Sequence, residues 1–106
     1  GKMGGSLDLD FSDLESGAWP LIEYLYHDDA YRAVYETYVS QVRDNWFEPS
    51  VMQSRYSAYA DLVEPFAVAE IPGYSFLSSE SDFSRGISAL LTHVDSRAQM
   101  VDNYLP

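Results

Sequence analysis

Trp19-Pro-Leu-Ile-Glu-Tyr-Leu-Tyr-His-Asp-Asp-Ala-Tyr-Arg-Ala-Val-Tyr35 contains two helices and the break between them. Pro20 suits the first turn of a helix, where its missing N–H costs nothing. Leu21, Ile22, Leu25 and Tyr26 then place an apolar face on about two turns. Asp28 is a natural N-cap for a second helix, and Asp29 is favourable to that helix's dipole. The second helix is expected to run to about Asn45. Its Tyr31, Tyr35, Tyr38, Val42 and Trp46 recur at spacings of 4, 3, 4 and 4, with Val34 and Val39 widening the stripe.

Two further helices follow. Pro49 opens the third, with Met52, Tyr56, Tyr59, Val63 and Phe66 on one side. Pro65 must kink or end it, because its ring clashes with the carbonyl four residues back. Ile71 to Ser79 carries the Pro72-Gly73 turn pair and reads as a loop. Ser79 with Asp82 three residues on resembles a capping box. Phe83, Ile87, Leu90, Leu91, Val94, Ala98, Val101 and Leu105 then form the cleanest amphipathic stripe in the chain. Aromatics at helical spacing are usually core, so Trp19, Tyr35, Tyr59 and Leu91 are expected inside a bundle. Tyr24, Tyr74 and Tyr104 fall off the stripes and are the candidates for surface contact.

The expected fold is therefore all-α: a small antiparallel bundle of three long helices plus one short helix, with an extended acidic N-terminal arm. Residues 1–17 are the glycine-rich start and the arm, and residues 18–106 the bundle. In the arm, Leu7-Asp8-Leu9-Asp10-Phe11 alternates with strand period but has no visible partner strand.

Composition narrows the functional classes. The chain has 106 residues, room for one core, and a hydrophobic fraction of 46% that implies a packed domain. Asp and Glu number 17 against 6 Lys and Arg, a net charge of −11. Such a surface repels phosphate backbones and anionic lipid, so neither nucleic acid nor membrane is expected as a partner. No apolar run approaches the roughly 20 residues of a membrane span, and no secretory signal pattern opens the chain. With no cysteine there are no disulfides or zinc–thiolate sites.

No motif supplies a reacting centre. Asp8-Leu-Asp10-Phe-Ser12-Asp13 fails as a calcium loop, since its sixth and twelfth positions are Asp13 and Trp19 where glycine and glutamate are required. The same Asp-x-Asp would suit an aspartyl-phosphate enzyme only on a buried parallel strand. A solvated acidic arm is the better reading. His27 beside Asp28 and Asp29, and His93 near Asp95, read as surface histidines, although together they are a conceivable metal or acid–base site. Ser78, Ser79, Ser81 and Ser84 lack a Gly-x-Ser-x-Gly elbow or a histidine partner, and no phosphate-binding glycine loop is present. No residue is therefore assigned a catalytic, cofactor-binding or metal-binding role.

Trp19-Pro-Leu-Ile with Leu25, then Asp28 or Asp29 and Tyr31-x3-Tyr35-x2-Tyr38, resembles the C-terminal region of the CotH family, the spore-coat-protein-H-like kinases. Phe47-Glu-Pro-Ser-Val51, Asp61-Leu-Val-Glu-Pro65, Phe83 with Ile87 and Leu90, and Arg97-x3-Val101-x3-Leu105 are similar to later elements of that region. The likeness runs from about Leu7 to Leu105. It implies a parent protein with an atypical kinase fold that binds ATP and a divalent metal and transfers phosphate to protein serines. The family's nucleotide and metal residues precede the matched region; Asp8 and Asp10 lack the tryptophan that precedes the family's aspartate pair. This chain is then expected to be a non-catalytic C-terminal subdomain, with no cofactor of its own. Its expected partners are the upstream catalytic region and a protein substrate. A spore-coat, cell-envelope or secreted setting is compatible with the resemblance. A free-standing acidic module for a basic partner, and a small metal-dependent enzyme using His27 and His93, are the alternative readings.

Overall fold

Each helix begins where the local chemistry offers a start. The computed structural model describes Phe11, Leu14, residues 16–71 and residues 73–106. Helix α1 spans Pro20–His27 with its proline in the first turn. Helix α2 spans Asp29–Asn45, and the Asp28 carboxylate caps it, accepting from the Ala30 and Tyr31 amides at 3.0 and 3.2 Å. Helix α3 spans Pro49–Ala67, and there Glu48 is the cap, accepting from the Val51 amide at 3.0 Å. Pro65 sits in its last turn, and the helix ends two residues later. Helix α4 spans Glu80–Tyr104; Asp82 Oδ2 accepts from the Ser79 amide at 3.0 Å, the acidic half of the expected capping box. In the connection before it, Tyr74 donates its amide to the Ile71 carbonyl at 3.0 Å, and Gly73 adopts φ +92°. That backbone favours glycine at the third position of such a turn.

The architecture is all-α, with four helices and no strand among the described residues. Helices α3 and α4 form an antiparallel pair. Gln53, near the start of α3, donates to the Leu91 carbonyl midway along α4 at 3.1 Å. Helix α1 packs on α2, and α2 reaches only the C-terminal end of α4. The bundle is open, because α2 and α3, joined by three residues, do not pack on each other. The result is a slab measuring 54 × 32 × 18 Å with a radius of gyration of 18.6 Å. A compact domain of this length has about 13 Å. The glycine-rich start and the acidic positions Asp8, Asp10, Asp13 and Glu15 lie outside the described residues. Phe11 and Leu14, from the arm's far end, are described, and Leu14 is buried.

Among the described helical residues, the fully buried part of the interior expected from the stripes lies on α4. Val94 is fully buried and Ala98 nearly so, with Phe83, Ile87, Leu91 and Val101 half-buried along the same side. Helix α2 corrects the expectation. Its half-buried positions are Arg32, Glu36, Val39, Ser40 and Arg43. Tyr31, Tyr35, Tyr38, Val42 and Trp46 are exposed on a face roughly a third of a turn away. On α3 the expected stripe divides: Met52 and Tyr56 are half-buried, whereas Tyr59, Val63 and Phe66 face solvent. Trp19, placed inside by the sequence reading, is exposed as well. The physical reason is geometric. α2 meets only one end of α4, so its aromatic side is covered in part, at Tyr35, and most of it stays open.

Candidate interaction surface

The link between α2 and α4 is an aromatic cluster. Phe11 lies 4.5 Å from the Tyr26 ring, 6.0 Å from Tyr35 and 5.7 Å from Tyr104, centroid to centroid. Tyr35 and Tyr104 meet edge-on at 6.4 Å. Such ring pairs favour tilted and edge-on contact because of their quadrupoles. Tyr104, expected at the surface, is therefore half-buried inside this cluster. Burial, and then the neighbouring Tyr26 phenol, hold its hydroxyl well above the ordinary phenol range. Although Tyr26 lies close, that hydroxyl makes no hydrogen bond of proper geometry. Beside the cluster, Arg43 of α2 pairs with Asp102 of α4 at 2.8 Å.

A groove of roughly 330 Å³ opens between α1 and α2, walled by Ile22, Leu25, Tyr26, Val34 and Tyr35, with Phe11 at its end. Arg32 lies on its rim, 5.9 Å from the Tyr26 ring centre and bridged to Asp29 at 2.8 Å. The groove continues into the exposed face of α2, where Tyr38 is 62% and Trp46 66% accessible. Single exposed apolar residues are ordinary. A row of five along one side of α2 and its C-cap is not, and it is the candidate interaction surface.

The residues considered for chemistry are not assembled. His27 closes α1 and His93 lies on α4; both are exposed, and α1 nears α4 through Tyr26 and Tyr104, eleven residues beyond His93. Among the described residues no group of three or more His, Cys, Asp or Glu is placed to hold a metal ion. The described glycines, Gly17, Gly73 and Gly86, are far apart in the chain and form no phosphate-binding loop. The described residues thus do not fit a nucleotide with its metal, and no step is derived through one. Of the serines, Ser79 N-caps α4 and Ser81 shares a hydrogen bond with it at 2.7 Å. Tyr24 and Tyr74 are exposed, as their positions off the stripes suggest. The sequence reading passed over Ile71 and Phe76, which are also exposed. No periodic signal marks them, because residues 71–77 are mostly apolar and a loop has no fixed face.

The described chain is thus an all-helical unit with an exposed aromatic row along α2 and no assembled reacting centre among the described residues. Comparison with known families makes this specific: the family model described as CotH kinase protein matches residues 7–101. The chain belongs to the CotH kinase protein family. No curated protein and no solved structure matches it significantly.

Proposed function

We propose that this chain is the non-catalytic C-terminal helical subdomain of a CotH-like atypical protein kinase, seated against the upstream catalytic region and helping to shape the surface met by a protein substrate. The observation that carries the reading is the outward stripe of α2, Tyr31, Tyr35, Tyr38, Val42 and Trp46. Apolar area left in water forgoes about 25 cal/mol per Å², so a face of this size favours a permanent cover. ATP and its divalent metal belong, on this reading, to the catalytic region. The charge of −11 disfavours nucleic acid and anionic lipid as partners. No helix among the described residues is long and apolar enough to cross a membrane. Calorimetric titration of Mg·ATP into the 106-residue chain is the test. Heats no larger than dilution are expected, whereas a saturable isotherm would contradict the non-catalytic assignment.

A further inference from the structure

A second apolar surface lies where α3 ends and α4 begins. Leu62 and Phe66 on the last turns of α3, then Ile71, Tyr74 and Phe76 in the connection, are all exposed, Phe76 completely so. This patch belongs to a different part of the fold from the α2 stripe, because α2 and α3 do not pack together. Between the two helix ends is a cleft of roughly 200 Å³. Half-buried Ala67, Val68 and Leu77 line it together with Ser75, Ser78 and Ser79, and the exposed Glu70 and Glu80 stand at its rim.

Charge selects what covers this patch. Residues 61–82 include Asp61, Glu64, Glu70, Glu80 and Asp82 and contain no lysine, arginine or histidine. The nearest following cation, Arg85, is bound to Asp82. A second copy of a chain with net charge −11 is repelled there, as are anionic lipid and nucleic acid. An apolar partner without charge would leave the rim carboxylates facing a drier surface with no counter-charge, which costs free energy.

We propose that the α3–α4 corner docks a basic, apolar peptide segment. A lysine or arginine stem lies along Ala67, Val68 and Leu77, its cationic head meets Glu70 and Glu80, and an adjacent apolar side chain covers Tyr74 and Phe76. Long cationic side chains suit such a cleft because the stem is apolar and only the head needs a counter-charge. The proposal concerns a face other than the α2 stripe and does not rest on the kinase reading.

The test is fluorescence anisotropy of the full 106-residue chain with a short labelled peptide alternating arginine and leucine, beside the same peptide with glutamate for arginine. Saturable binding of the basic peptide alone is expected, weakening as salt is raised to about 0.3 M. Glu70→Gln with Glu80→Gln, and separately Phe76→Ser, should each weaken it by roughly three- to tenfold. Phe76 is completely exposed, so its replacement leaves the helical circular dichroism unchanged. Asp44→Asn with Asp95→Asn, carboxylates on α2 and the middle of α4, should change affinity less than twofold, a bound set by weak screened surface charges. Equal binding of the acidic peptide, absence of binding, or equal weakening by the remote pair would overturn the proposal.

Discussion

Asp28 accepts two amide hydrogens at the start of α2, so Asp28→Ala should lower stability by about 1 kcal/mol and Asp28→Asn by much less, read from denaturant midpoints. Glu48 has a matching role at α3. Hydrogen bonds from the Ser50 hydroxyl and then the Val51 amide hold its carboxyl below the ordinary 4.5. A depressed carboxylate contributes stability that is present above about pH 4.5 and is lost as pH falls through its folded value. The helical signal of the parent chain should therefore decline more steeply in acid than that of Glu48→Ala, which has no such group to titrate. Val94 is fully buried, and Val94→Ala should cost about 1.5–3 kcal/mol. The cap at Asp28 was legible in sequence because a cap is decided by the residue and its next three neighbours. Tyr104 was not, since its surroundings are made by Phe11, Tyr26 and Tyr35, far away in the chain.

Among the elements, α4 and α2 are both strongly periodic, yet they have opposite fates. The stripe of α4 lies against α3 along much of its length, so period and burial agree. The stripe of α2 has the same regularity, yet of its aromatics Tyr35 meets α4, and Arg43 and the packing of α1 hold the helix beside it. Periodicity reports that one face is apolar; it carries no information about whether the cover lies within the same stretch of chain. This difference is measurable. Replacing Tyr38 and Val42 together with serine should change the stability of the 106-residue chain by no more than about 0.5 kcal/mol each. Serine at Leu91, half-buried against α3, should cost about 2 kcal/mol or more through lost burial. Thermal melts of the two variants side by side decide between an outward and an inward α2.

For the whole molecule, length and pattern foretold an all-helical chain of four helices, and they left its openness unseen. A radius of gyration of 18.6 Å and a slab 18 Å thick leave few residues with neighbours on all sides. The small buried set among the described residues, Leu14, Val94 and Ala98, follows. The candidate surface was legible only as a list of aromatic positions, because orientation depends on α2 and α3 diverging after the short link at Trp46, Phe47 and Glu48. On the proposed reading the missing cover is a catalytic region that precedes these helices. Hydroxyl-radical footprinting compares the two situations directly, using the 106-residue chain and the same chain joined to its upstream catalytic region. Tyr31, Tyr38 and Trp46 should be readily oxidised in the first and strongly protected in the second, while Tyr24 stays reactive in both; equal oxidation of the α2 aromatics in the two proteins would contradict the account.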